Sequence, residues 1–343
     1  MTAPRRVAIL GGGHIADTAH LPALARLPAR AAVVAVCSRD LPKARQLADQ
    51  HGVPHAFADP AELYRTCPVD AVVIATPNYL HHPLAMQALA QGCHVFCEKP
   101  PALTGAQARE MAEEAARRGL TLAYNFQLRQ YPEFQHLLKC QAEGLLGDIY
   151  HIEARFQRRR GIPGWGSFTD KAAQGGGALL DLGVHVLDLA LVLLAYARPE
   201  QVLANTFDHL GRAGGRGLLR SWDPARFSVE DAGTAYLAFP GNRSVSLTAA
   251  FALNQAEDKR LELRAHGTRG GATLFPLALH TEVAGELADI QFPFLPPADR
   301  QLANTVAFLD ACDSRPSTIC TAAEGAQLQD VMDRLYAAAG QSG

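Results

Sequence analysis

Residues 11–16 of the chain read Gly-Gly-Gly-His-Ile-Ala, the spacing G-x-G-x-x-A. Between a strand and a helix, such a loop brings backbone up against a pyrophosphate. Gly11 permits the tight turn, Gly13 the close approach and Ala16 the packing of helix on strand, so phosphates rest on unpaired N–H groups at the helix N-terminus. His14 and Ile15 lie inside the same loop. The next apolar run ends in Cys37-Ser38-Arg39-Asp40, where the adenine ribose is read. A carboxylate directly after the strand would repel a ribose 2′-phosphate, whereas Ser38, Arg39 and, one turn on, Lys43 can bond it; this favours NADP over NAD. The competing reading stacks Arg39 on adenine and turns Asp40 inward.

A second group of residues suits proton transfer. Asp181 and His185 in DLGVH stand four apart, hence on one face of a predicted helix, where a carboxylate can orient an imidazole that exchanges a proton near neutral pH. Alcohol oxidation needs this, because hydride loss from carbon is matched by proton loss from oxygen. Taken alone, the pair fits helix capping and core satisfaction equally well. Thr76, Pro77 and Asn78 follow a strand, where a cofactor crevice forms, although Asn78 serves as well as a plain helix cap. The next strand ends in Glu98-Lys99-Pro100-Pro101, whose prolines fix the path of the chain. Lys99 there is either an ordinary solvated side chain or a cation able to stabilise developing negative charge.

The elements that must position these residues are legible as a rhythm. Strands are predicted at 6–10, 31–37, 70–75, 94–97 and 120–124, with helices at 15–27, 41–51, 82–91 and 105–118 between them. Short apolar strands alternating with helices of about three turns require a doubly wound parallel sheet. Beyond residue 131 the pattern changes to an alternating strand at 149–157, a glycine-rich segment leading into a helix at 177–195, and strands at 201–207, 233–239, 243–252, 259–266 and 272–275. Residues 211–217 read as a loop, 291–299 as a proline-stiffened connection, and 299–311 and 321–338 as closing helices that pack back on either domain. The predicted fold is α/β: an N-terminal Rossmann doubly wound parallel sheet over 1–122, then a C-terminal α+β domain over 123–343 with a large, mainly antiparallel open sheet.

Composition narrows the class. The chain has 343 residues, 48% hydrophobic and 19% charged, enough for two globular domains with real cores. A net charge of -2 offers no field for a polyanion, so no nucleic-acid partner is expected. The longest apolar run, 186–197, is interrupted by Asp188 and reads as a buried helix, and the N-terminal apolar stretch is too short for a secretory signal; neither a membrane nor export is expected, and the cytoplasm is the expected compartment. Seven cysteines without paired C-x-x-C spacing look like core residues of a reducing compartment, with no metal site.

Four segments, VAILGGGHIADTAHLPAL at 7–24, DAVVIATPNYLHHPLAMQAL at 70–89, HVFCEKPPALT at 94–104 and GGGALLDLGVHVLDL at 175–189, stand in the order and spacing of one family. By these motifs the chain resembles the glucose-fructose oxidoreductase / inositol dehydrogenase / rhizopine catabolism (Gfo/Idh/MocA) family over essentially its whole length. The resemblance implies that Lys99 reaches both cofactor and substrate, that Asp181 helps bind substrate and that His185 is the acid/base. It also implies a small polyhydroxylated substrate and a homodimer or homotetramer formed through the C-terminal sheet. Ser38 departs from the aspartate of many NAD-using members. Around this set, Glu98 and Asn125 are further cofactor candidates, Tyr124 a substrate candidate, and Trp165 a candidate for both. Gln127 lies near the same crossing. Trp165 serves equally as a loop anchor, and the run Arg158, Arg159 and Arg160, of which Arg159 is the one preferred for an acidic substituent, equally as a solvated basic edge. The implied reaction is reversible oxidation of a secondary hydroxyl on a sugar, inositol or related polyol. An NADP-dependent dihydrodiol or xylose-type dehydrogenase, a redox-assisted glycosidase and a non-catalytic nucleotide-binding regulator remain as alternatives.

Overall fold

The computed structural model describes residues 3–340. Two compact units emerge: one runs to Gln130 and takes up Asp299–Ala326 again later, and the other is Tyr131–Ala298 with the chain from Gln327 on. The first unit thus passes the boundary drawn at residue 122. Gln130 donates to Asn304 Oδ1 at 3.2 Å, which binds the turn after the last parallel strand to a helix that arrives much later in the chain.

In the first unit, β1 (Arg5–Leu10), β2 (Ala31–Cys37), β3 (His55–Phe57), β4 (Ala71–Ile74), β5 (His94–Cys97) and β6 (Leu122–Tyr124) lie in the order β6-β5-β4-β1-β2-β3. All neighbours are parallel. All four residues of β4 and the last four of β1 are buried, as a sheet covered on both faces demands. The helices between them are α1 (Leu21–Ala25), α2 (Leu41–His51), α3 (Pro60–Thr66), α4 (His81–Ala90) and α5 (Gly105–Arg118). Asp40, Asp59 and Thr104 cap α2, α3 and α5 through their side-chain oxygens. Strand order reverses between β1 and β4, so the crevice beyond their carboxyl ends is where a dinucleotide binds in such sheets.

The helix predicted at 15–27 is shorter and mixed: Ala16–His20 is π-wound and only Leu21–Ala25 is α-helical. Pro22 has no N–H to give the preceding turn, and the turn before it widens. β3 and α3 are additional to the predicted elements, because a three-residue strand carries almost no periodic signal.

The second unit holds α6 (Pro132–Ala142), β7 (Ile149–Arg158), α7 (Lys171–Gln174), α8 (Val184–Leu193), β8 (Gln201–Phe207), α9 (His209–Ala213), β9 (Ala232–Phe239), β10 (Arg243–Ala250), β11 (Lys259–Gly267), β12 (Gly270–Leu274), β13 (Ala278–Val283) and β14 (Glu286–Gln291). Its eight strands run β14-β13-β12-β11-β7-β10-β9-β8 and are antiparallel except for the parallel pair β7 and β10. A π-wound turn, Leu179–Gly183, leads into α8, which packs on β7, β10 and β11. One stretch of the described residues, Lys171–Leu193, is long and apolar enough to cross a membrane, but 89% of its most apolar window is buried in the fold, which makes it a core element. The chain then supplies α10 (Arg300–Cys312) and β15 (Cys320–Thr321) to the first unit, β15 pairing antiparallel with β6, before α11 (Ala322–Ala338).

Candidate active site

The glycine loop is built around one close approach. Gly11 has φ +121° and donates its N–H to Cys37 O at 2.8 Å; a Cβ on it would lie 2.2 Å from Ala75 O. Only glycine fits there. Gly13 differs, since a Cβ on it would meet no protein atom within 4 Å. The space over Gly13 is therefore open for a phosphate group, and the residues fit a dinucleotide. His14 is exposed beside it and Ile15 half-buried. Ser38 lies against the same loop, its Oγ 3.4 Å from the Cβ position of Gly12, with Lys43 Cγ at 3.7 Å. Asp40 is spent as the cap of α2, accepting from Lys43 N at 3.1 Å, while Arg39 stays exposed. Across the crevice, Thr76 Oγ1 is buried and has no hydrogen-bond partner among the described residues, a hydroxyl suited to a ligand. Pro77 and Asn78 are half-buried beside it, Pro77 standing at the N-cap position of the turn Asn78–Leu80 and Leu80 at that of α4.

Glu98 is 8% exposed at the end of β5. His20 Nε2 and Asn125 Nδ2 both donate to its Oε1 at 2.7 Å. Burial pushes this carboxyl up, yet those two donors and the charge of Lys99 outweigh it and hold Glu98 below the ordinary carboxylate range. The next two residues, Lys99 and Pro100, are joined to the end of β4 through His81, a fully buried ring whose nitrogens lie 2.8 Å from Pro100 O and 3.0 Å from Thr76 O. Lys99 is thus carried on a loop tied on both sides. Tyr124 does not fit its expected part: its ring is fully buried, and a Cβ on Gly325 would lie 2.1 Å from it. It is a core side chain with no surface for a substrate. Gln127 opens a 3-10 turn in the same stretch.

In the second unit, His185 (9% exposed) and Asp181 lie along the helix that begins π-wound. The Phe156 ring on β7 stands 6.4 Å from the His185 ring. Arg158, two residues on and on the same face of the strand, spans that phenyl ring at 5.7 Å. Burial lowers its guanidinium, and the negative charge of Asp181 opposes this, placing the two in electrostatic reach. Arg159, the arginine singled out in the sequence, lies in the bend after β7, is exposed and donates to Ala256 O at 3.3 Å. Trp165 is 38% exposed and packs edge-on to Phe168 with Arg220 over its ring, the loop-anchor arrangement. The N-terminus of the helix is held by Glu230, which accepts from Gly177 N at 2.8 Å, Leu179 N at 2.9 Å and the Tyr336 hydroxyl at 2.8 Å. Gly177 has to be glycine, since a Cβ there would lie 2.1 Å from Glu230 O.

Comparison with known proteins gives a consistent answer. Residues 5–126 match an oxidoreductase family with an NAD-binding Rossmann fold, and residues 134–273 match the GFO/IDH/MocA C-terminal domain. The D-glucoside 3-dehydrogenase of Escherichia coli (strain K12) is 37% identical over 98% of this chain and 96% of its own. The chain belongs to the Gfo/Idh/MocA oxidoreductase family. Within that family it is also similar to the trans-1,2-dihydrobenzene-1,2-diol dehydrogenase of Bos taurus, 32% identical over 78% of this chain and 72% of the relative. Among solved structures, the aldose-aldose oxidoreductase from Caulobacter crescentus in complex with glycerol superposes with a TM-score of 0.81 at 25% identity, covering 98% of both chains. Membership makes this chain an NAD(P)-dependent oxidoreductase. His20, His81, Glu230 and Tyr336 were not singled out by sequence reasoning; His20, four residues after Ala16 on the cofactor helix, had a positional signal, and the others had none, whereas Arg158 stood in the arginine run of which Arg159 was the one preferred.

Proposed function

We propose that this enzyme oxidises a secondary ring hydroxyl of a glucoside or related sugar, reversibly, and that Lys99, Asp181 and His185 carry the reaction. The observation that carries this reading is the setting of His185: an imidazole on a buried, largely apolar helix, with Asp181 one turn before it and the Phe156 ring beside it. His185 takes the hydroxyl proton at a ring nitrogen, Asp181 accepts from a neighbouring hydroxyl, and Lys99 donates to the reacting oxygen as negative charge develops on it. The bound nicotinamide supplies the hydride acceptor. Similarity to a D-glucoside 3-dehydrogenase supports the sugar class. His185→Ala and Lys99→Ala proteins are expected to lose at least about a hundredfold in kcat, the usual worth of a positioned acid or base; a variant that keeps full turnover on every substrate of the wild type would refute the assignment.

NADP is the favoured coenzyme of this proposal, held at its 2′-phosphate by Ser38, Arg39 and Lys43, because Asp40 is turned to its own helix. Tenfold tighter binding of NAD than NADP in a fluorescence titration would reject that preference. A panel of glucosides, pentoses and trans-dihydrodiols separates the sugar reading from the dihydrodiol reading favoured by the second group of relatives. The outer face of the eight-stranded sheet is the proposed contact between copies, as a dimer or tetramer in the cytoplasm.

A further inference from the structure

The polar contacts behind Glu98 can be assigned proton by proton. α10 contributes Gln301 and Asn304, three residues apart and so on one helix face. Asn304 Nδ2 donates to Asn125 Oδ1 at 2.7 Å, which leaves the Asn125 amide group to donate to Glu98 Oε1 and, at 3.1 Å, to Gln301 Oε1. With its oxygen so engaged, Gln301 presents Nε2 to His20 Nδ1 at 3.2 Å. That contact makes Nδ1 the acceptor and puts the ring proton on Nε2, from where it is given to Glu98 Oε1. Two relays therefore start on α10 and end on one carboxylate oxygen. His20 is further fixed by an edge contact with Phe96 at 5.5 Å, and Phe96 stacks on Phe308 of the same α10 at 4.9 Å.

The other oxygen is treated differently. Among the described residues, Glu98 Oε2 receives only the Lys99 N–H, at 3.4 Å. A buried carboxylate with one oxygen saturated by two donors and the other left nearly open has a fixed direction for its charge, and it stands at the strand end beside Lys99, in the crevice where this family binds its coenzyme.

We propose that His20, Asn125, Gln301 and Asn304 are positioning residues that hold Glu98 as a fixed, half-open carboxylate, and that its charge favours the oxidised nicotinamide, a cation, over the reduced and neutral ring. In a site shielded from water, one such charge discriminates strongly between two ligands that differ by one charge. The bound coenzyme becomes a better hydride donor and a weaker acceptor than it is in water. This rests on coenzyme binding alone and stands whether or not the substrate is a sugar.

The test needs no turnover. Dissociation constants for the oxidised and reduced forms of the same coenzyme are measured by fluorescence or calorimetry in the full chain, and their ratio is taken. In Glu98→Gln, which keeps shape and removes charge, the oxidised-to-reduced ratio of Kd is expected to rise about tenfold, and Glu98→Asp, which keeps charge, should stay nearer the wild type. Gln301→Met and His20→Asn should move the ratio the same way by a smaller factor. An unchanged ratio in a folded Glu98→Gln protein, or equal weakening of both forms, overturns the role of the charge. A ratio that shifts in Glu98→Gln while Gln301→Met and His20→Asn both keep the wild-type value overturns the relay. Should Glu98→Gln not fold, a wild-type ratio in Gln301→Met and His20→Asn still counts against the proposal.

Discussion

Gly11 and Gly13 sit in one turn and answer to opposite constraints. At Gly11 the protein itself forbids a side chain, so Gly11→Ala, with its left-handed φ and a carbonyl 2.2 Å away, is expected to destabilise the fold by more than about 1 kcal/mol. At Gly13 only a ligand forbids one. Gly13→Val should fold with a thermal midpoint close to the wild type yet lose measurable coenzyme binding; a valine protein that still titrates with NAD(P)H would show that the pyrophosphate lies elsewhere. Residues of this kind were legible because a spacing motif encodes them. The arginine that lies over Phe156 was not. Arg158 closes β7 while Arg159 stands in the bend just after it, so a run of three arginines cannot be ordered without knowing where the strand that pairs Arg158 with Lys259 stops. Gln301 and Asn304 are ordinary polar residues of an amphipathic helix, and nothing local marks them as partners of Glu98.

α1 and α8 each follow a π-wound turn, and the turn before α8 is anchored by a buried acid. Removing Glu230 leaves Gly177 N, Leu179 N and the Tyr336 hydroxyl without their acceptor. Glu230→Ala is expected to lower unfolding stability by about 3 kcal/mol and Tyr336→Phe by about 1 kcal/mol, read by urea denaturation. Burial raises the Glu230 carboxyl above its ordinary range, against the pull of Tyr336 and the backbone donors. Between the unfolded value and that higher one the folded protein keeps a proton the unfolded chain has lost, so this group's contribution to stability declines as pH rises. Glu230→Gln should remove that slope; an identical pH profile in the variant would locate the slope elsewhere. The helices at 41–51, 82–91, 105–118 and 299–311 were read from apolar spacing, while α3, α6 and the π turns escaped it. The hairpin of β13 and β14 escaped because its turn, Ala284-Gly285 with φ of 54° and 88°, hides an alanine where a glycine or asparagine normally signals the bend.

The two units present very different surfaces. The outward face of the eight-stranded sheet carries a lattice of ion pairs in which Glu262 meets Arg155 at 3.2 Å, Arg260 at 2.8 Å and Arg264 at 2.6 Å, flanked by the half-exposed Tyr236 and the exposed Leu203 on neighbouring strands. If this face joins copies of the chain, Tyr236→Asp should shift the sedimentation coefficient toward the monomer without lowering the thermal midpoint of the fold; an unchanged assembly would place the contact elsewhere. The overall architecture was legible, since alternation of strand and helix at one end and strand after strand at the other admits few topologies. What pattern alone left open was the ownership of residues 299–326, because a helix's sequence tells which of its faces is apolar and not which core that face seeks. That ownership has a temporal side. Synthesised in order, the chain completes all six parallel strands long before Gln301 and Asn304 exist, so His20 and Asn125 can meet Glu98 early and gain their own partners on α10 only later.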